Sequence, residues 1–196
     1  MKKKIIGIDI DCVLADSIEM FIPYFNKRFN QKLNLNQIKH YEFEKCYENV
    51  TAEEILEAFK DITKKKLWAE IKPIKDADLF LKRLKEKYFT IIVTSRPEEF
   101  MGAQTQEWLE KHRFEYDKLL YMKPGENDKY NTGLNGGYRF DLMIEDCPDF
   151  ALKISEYGIP VLIYDYPWNR LENAPENIFR IYNLKEALEL ILKKLK

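Results

Sequence analysis

Along the chain, short apolar runs alternate with longer stretches in which apolar positions recur at helical spacing. The runs 4–9, 90–94, 119–122, 141–144 and 160–164 read as buried strands, and 178–182 as a sixth. Between them, 76–88 places Ala77, Phe80, Leu81, Leu84 and Tyr88 on one helical face. Residues 98–112 follow Pro97, a good first-turn residue. The helical stretch 149–157 ends at Gly158, which suits the left-handed position after a helix. Residues 185–195 follow Asn183, a good N-cap. Strands alternating with helices predict an α/β fold, a parallel sheet with helices on both faces.

One stretch breaks the rhythm. Between the first strand and the second no convincing strand occurs. Residues 17–29 are amphipathic and rich in aromatics. Thr51-Ala52-Glu53-Glu54 is a capping box that opens a helix over 51–65, with Thr51 as N-cap. The pattern therefore predicts a core made of 1–16 and 76–196, with a small helical insertion, 17–75, directly after the first strand. The segment 123–139 carries Gly125, Gly133, Gly136 and Gly137 and reads as a loop.

Composition narrows the function. A length of 196 residues suits one domain with an insertion. Lys and Arg number 32 against 33 for Asp and Glu, so no general attraction to nucleic-acid polymers or membranes is expected. The start Met1-Lys2-Lys3-Lys4 has the charge of a secretory leader, but Asp9 stops the apolar run that follows, which predicts a cytoplasmic protein. Cys12, Cys46 and Cys147 form no paired motif, which argues against a disulfide framework or a zinc site. His40 and His112 are isolated and read as surface or packing residues. Nothing in the pattern sets an oligomeric state.

The chemistry gathers where the strands end. In open parallel sheets, ligands bind at the carboxyl ends of the strands. The first run ends Gly7-Ile8-Asp9-Ile10-Asp11, and alternation points both carboxylates to one side. The second ends Thr94-Ser95 and the fourth Ile144-Glu145-Asp146. So many carboxylates would repel one another unless a cation sat among them. Hard oxygen donors suit Mg²⁺.

Asp9-Ile10-Asp11-Cys12-Val13-Leu14-Ala15-Asp16 resembles the first motif of the haloacid dehalogenase superfamily of phosphatases. Thr94-Ser95-Arg96-Pro97 is similar to its second motif, and Ile144-Glu145-Asp146-Cys147-Pro148-Asp149 to its fourth. Within the superfamily, the opening is similar to the 5′(3′)-deoxyribonucleotidase branch. The resemblance implies a Rossmann-like core and a helical cap after the first motif. It also implies a Mg²⁺-dependent phosphomonoesterase working through an aspartyl-phosphate, with a 5′-nucleotidase of (deoxy)nucleoside monophosphates favoured. Asp9 would be the nucleophile and Asp11 the general acid–base. The Asp9 side chain, the Asp11 backbone carbonyl and Asp146 would hold the metal. Thr94 and Ser95 would bind phosphate.

The resemblance also calls for a phosphate-binding lysine; Lys129 is the candidate and Lys123 competes. Glu145, where many relatives carry Asp, is expected to reach the site directly or from behind its ligands. Asp149 is either the N-cap of the next helix or a neighbour of the metal. Phe21, Tyr24, Phe25, Tyr41, Phe43 and Trp68 are expected mostly as core of the insertion, with one or two lining a base pocket. The segment 165–170 either contacts substrate or only turns. A phosphatase of a sugar phosphate or other small metabolite, and a non-catalytic phosphate-binding regulator, stay open, although the complete set of acids argues against the second. The expected partner is a small phosphorylated substrate.

Overall fold

A computed structural model describes residues 3–126 and 128–195. The strands are β1 (Ile5–Ile8), β2 (Phe89–Thr94), β3 (Lys118–Tyr121), β4 (Leu142–Glu145), β5 (Val161–Tyr164) and β6 (Ile178–Ile181). They form one sheet in the order β3-β2-β1-β4-β5-β6, and every neighbouring pair is parallel. The helices are α1 (Ser17–Phe29), α2 (Ala52–Lys64), α3 (Ala77–Lys87), α4 (Glu98–Lys111), α5 (Lys129–Asn135), α6 (Pro148–Glu156) and α7 (Leu184–Lys194). The fold is Rossmann-like α/β, as the alternation of patterns predicts.

Both faces of the sheet are buried, which explains why its strands read as continuous apolar runs. Ile6, Ile8, Ile92, Leu142, Ile144 and Leu162 pack on one face. Ile5, Ile91, Val93, Met143, Val161 and Ile163 pack on the other. The first face is covered by α3, α4 and α7, through residues such as Leu81, Trp108 and Ala187. The second is covered by α5 and α6, through Tyr130, Ala151 and Ile154. Gly7 in β1 carries no side chain because Met143 fills the space that one would need.

Two expectations are corrected. The stretch 123–139, read as a loop, contains α5. Asp128 caps it, accepting from the Asn131 N–H at 2.9 Å. Gly133 does not break this helix; its missing side chain lets the helix close onto the Phe140 ring. Gly137, at φ +83°, then follows the helix end. The N-cap reading of Asp149 also fails. Pro148 occupies the first helical position of α6, Cys147 takes the cap position, and Asp149 falls in the first turn.

Between β1 and α3 lie α1, α2 and several 3₁₀ turns, one of them at Leu67–Glu70. The Thr51 capping box forms in both directions, at 3.3 Å and 2.9 Å. Phe21, Phe25, Phe43, Phe59 and Trp68 pack against one another, mostly edge to face. The chain leaves and re-enters the core side by side: Asp16 N–H donates to the Lys72 carbonyl and Ile74 N–H to the Leu14 carbonyl, each at 2.8 Å. Among the described residues, no helix is long and apolar enough to cross a membrane.

Candidate active site

The strand order reverses direction between β1 and β4, and such a switch opens a crevice at the carboxyl ends of the strands. Asp9 follows β1, Glu145 ends β4 and Asp146 follows it. The ladder continues past β1, with Asp9 N–H donating to the Ile144 carbonyl at 3.1 Å. Rigid, paired backbone thus presents all three carboxylates to one point. Their oxygens lie within 4.8 Å of one another. All three residues are buried: Asp9 is 3% exposed, Glu145 0% and Asp146 2%.

Lys129, the first residue of α5, joins them. Its Nζ lies 2.7 Å from Asp9 Oδ1 and 2.6 Å from Glu145 Oε1. Lys123 is exposed, so the structure brings together Lys129, and not its competitor, with Asp9. Glu145 acts from behind: Oε1 faces Lys129, while Oε2 accepts from the backbone N–H of Asp146 at 3.1 Å and of Cys147 at 3.2 Å. Burial raises the carboxyl pKa of Asp9, Lys129 lowers it, and Glu145 and Asp11 raise it further. Burial also raises Asp146, and Asp9 and Glu145 add to that. For Lys129, burial opposes the charge, but Asp9 and Glu145 outweigh it and hold the ammonium above the ordinary lysine range.

Asp11 sits in a different environment. Arg96 donates to it twice, Nε to Oδ2 at 2.8 Å and Nη2 to Oδ1 at 2.7 Å. The Ser17 hydroxyl also donates to Oδ1. Burial alone would raise the Asp11 pKa, but Arg96, with help from Ser17, outweighs it and holds the carboxyl below its ordinary value. Arg96 stands inside the second motif, but its pairing with Asp11 was missed in the sequence, because an arginine carries no mark of where its side chain turns. Thr94 is buried and its Oγ1 accepts from the Arg96 N–H at 3.2 Å, whereas Ser95 lines the open cavity.

Asn169 was also missed as a contributor. The segment 165–170 folds into a 3₁₀ turn, Pro167–Asn169. Within it, Asn169 Nδ2 donates to the Asp146 carbonyl at 2.8 Å and the Tyr164 carbonyl at 2.7 Å. Its Oδ1 accepts from Arg180 at 2.8 Å. The turn therefore braces the loop that carries Asp146.

A cavity of about 750 Å³ opens over these groups. Asp9, Asp11, Ser95 and Asp146 line its floor; Phe21, Tyr41, Phe43, Phe59 and Trp68 line the wall contributed by the insertion. Phe100 and Trp168 add to the apolar lining, and His40 also faces it. Phe25 instead lies in the insertion's own core. His112 packs on Trp108 and Phe114, in keeping with a packing role.

The floor fits a divalent cation. Asp9, Glu145 and Asp146 bring three buried carboxylates together, while Lys129 supplies one compensating ammonium. The donors are all oxygen, as a hard cation prefers. Burial raises the nearby Cys12 and Cys147 thiols well above their ordinary range, and neither sulfur belongs to the group of oxygens that converge here.

Known proteins carry the same arrangement of fold and chain. A nucleotidase of Clostridium acetobutylicum is 31% identical over 191 residues, spanning 97% of this chain and 95% of that protein. The structure of a haloacid dehalogenase-like hydrolase from Streptococcus pneumoniae superposes with a TM-score of 0.71 at 19% identity, covering 96% of this chain and 98% of that one. That of a predicted phosphatase from Clostridium acetobutylicum superposes with a TM-score of 0.70 at 18% identity, covering 98% and 100%. At these identities the two structural likenesses speak for the fold. The family model described as 5′ nucleotidase, deoxy (pyrimidine), cytosolic type C protein matches residues 3–196, so the chain belongs to that family, a haloacid dehalogenase-like hydrolase of phosphoric monoesters.

Proposed function

We propose that this protein is a Mg²⁺-dependent 5′-nucleotidase that hydrolyses deoxynucleoside monophosphates through an aspartyl-phosphate on Asp9. The observation that carries the reading is the meeting of Asp9 and Asp146 on the floor of a cavity whose other wall is aromatic, with the Lys129 ammonium 2.7 Å from Asp9. Asp9 attacks phosphorus in line and the bond to the leaving oxygen breaks. Asp11 gives that oxygen a proton, then takes one from the water that attacks the phosphorylated Asp9. Lys129 neutralises charge on the phosphoryl oxygens, and Thr94 and Ser95 hold them by hydrogen bonds. A Mg²⁺ ion held by Asp9, Asp146 and the Asp11 backbone carbonyl would screen the Asp9 carboxylate from the negative phosphate.

The insertion, 17–75, acts as a cap that excludes water and selects the leaving group. Its flat, apolar lining suits a nucleobase better than the hydroxyl-rich surface of a sugar, since every base offers a face for stacking. The family description names deoxy and pyrimidine substrates and a cytosolic type. A cytoplasmic site of action agrees with that wording and with three cysteines that form no disulfide.

The test is phosphate release from a panel of deoxyribonucleoside and ribonucleoside 5′-monophosphates and sugar phosphates, with Mg²⁺ and with chelator. Preference for a deoxynucleotide, dependent on Mg²⁺, is the expected result. Preference for a sugar phosphate would move the reading to small-metabolite phosphatase. No hydrolysis of any of them would overturn it in favour of a phosphate-binding regulator.

A further inference from the structure

Arg96 has no role in the phosphate chemistry above. It follows Ser95 beyond β2, and its side chain is 2% exposed. Besides its two bonds to Asp11, Nη1 donates to Thr105 Oγ1 of α4 at 3.3 Å. Its guanidinium lies 4.8 Å from the centre of the Trp68 ring and 5.9 Å from that of Trp108. It is held by the core helix on one side and by the insertion on the other.

The hydrogen bonds on Asp11 are unequal. Each carboxylate oxygen offers about two acceptor sites. Oδ1 receives both Ser17 and Arg96 Nη2, whereas Oδ2 receives Arg96 Nε alone. Asp11 also lines the cavity. Three donor groups from two residues therefore hold the carboxyl in one plane.

We propose that Arg96 is a positioning residue: with Ser17 it fixes the plane of the Asp11 carboxyl at the cavity, where that carboxyl meets the leaving group. This rests on the acid–base reading of Asp11. In the first step the Asp9 oxygen bonds to phosphorus, the O–H bond of the Asp11 carboxyl breaks, and the proton passes to the leaving oxygen as its bond to phosphorus breaks. The resulting carboxylate is received by the two Arg96 hydrogen bonds. In the second step a water O–H bond breaks and its proton returns to the Asp11 carboxyl, while the water oxygen bonds to phosphorus and the bond between phosphorus and the Asp9 oxygen breaks. Trp68, stacked on the guanidinium, ties this orientation to the insertion.

The test compares leaving groups. p-Nitrophenolate departs as a stabilised anion and needs little proton help, whereas the alcohol of a deoxynucleotide must be protonated as it leaves. We would measure kcat/KM for p-nitrophenyl phosphate and for a deoxynucleoside 5′-monophosphate in wild type, Asp11→Asn, Arg96→Lys, Arg96→Met and Ser17→Ala. The ratio of the two values within one preparation does not depend on how much of the protein is folded. Arg96→Met should lower the nucleotide value about 10²-fold more than the p-nitrophenyl value, the scale expected for a misplaced catalytic group. Arg96→Lys should fall between, because an ammonium cannot make the paired contact, and Ser17→Ala should shift the ratio least. If Asp11→Asn shifts the ratio but both Arg96 variants lose the two activities equally, even completely, Arg96 is only a structural tie and the proposal is overturned. If Asp11→Asn itself leaves the ratio unchanged, the acid–base reading fails and this inference falls with it.

Discussion

The cavity has two unlike walls. Its floor is charged, with Asp9 and Asp146 facing the cavity and Glu145 and Lys129 packed against them, each at most 3% exposed. Its roof is Phe21, Phe43, Phe59 and Trp68, carried on α1, α2 and the neighbouring turns and held mainly by packing against one another. On the floor, each charge needs its partner, because a buried charge left alone is costly. On the roof, contacts are numerous and individually weak, so one ring can change while the others hold. The floor should therefore answer substitution with loss of chemistry, and the roof with altered selection of substrate.

The sharpest break of this contrast is Asp9→Asn. The amide nearly matches the carboxylate in shape but cannot act as nucleophile, so turnover should vanish while the unfolding midpoint stays close to wild type. A folded Asp9→Asn protein that hydrolyses substrate at the wild-type rate would remove the floor from the chemistry. Chelation comes next. Exhaustive treatment with a chelator should stop phosphate release, and Mg²⁺ should restore it; activity that persists would mean that the carboxylates need no metal.

Lys129→Met probes the charge balance without reference to activity. It leaves the buried acids uncompensated and should cost about 3–5 kcal/mol of stability in metal-free protein near neutral pH, read by urea unfolding. Added Mg²⁺ should recover part of the loss. A related pH effect has a definite sign. Burial pushes the Asp9 carboxyl up to about 7, so between about 4 and that value the folded chain binds more protons than the unfolded one. Stability of metal-free protein should then fall as pH rises through that window. Mg²⁺ should flatten the slope, and an equally steep slope with and without Mg²⁺ would dissociate the acids from the metal.

The mildest change belongs to the roof side. Phe100 lines the cavity but is 67% exposed. Phe100→Ser should alter stability by no more than about 0.5 kcal/mol. If the ring stacks on the base, KM for a nucleotide should rise by the equivalent of about 1 kcal/mol, with KM for p-nitrophenyl phosphate unmoved. Equal effects on both substrates would erase the division of labour between the walls.

Much of the floor was legible before any fold was known. Asp9 and Asp11 stand in one motif and Asp146 in another, and each follows an apolar run that could only be a buried strand. The α2 start was legible too, because a capping box is satisfied within a few residues of itself. Lys129 was harder. Its helix was hidden among glycines that look like loop signals, and Gly133 was there for contact with Phe140, far along the chain. Arg96 and Asn169 stood in segments that drew notice, but their roles were not legible. Their partners, Asp11 and Asp146, are distant in sequence, and neither residue type reveals which way its side chain turns.

What this sequence determined by itself is local: the order of strands and helices, the periodicity that buries both faces of the sheet, and the acids that follow strand ends. These depend on the geometry of a few adjacent residues. Only the tertiary structure decided which lysine reaches Asp9, that Glu145 braces the Asp146 loop, that Arg96 grips Asp11, and which aromatics face the cavity while Phe25 stays in the core. Those choices are made by contacts between segments far apart in the chain. They are set by the parallel ladder and by the packing of the insertion over it, and no short stretch of residues contains them.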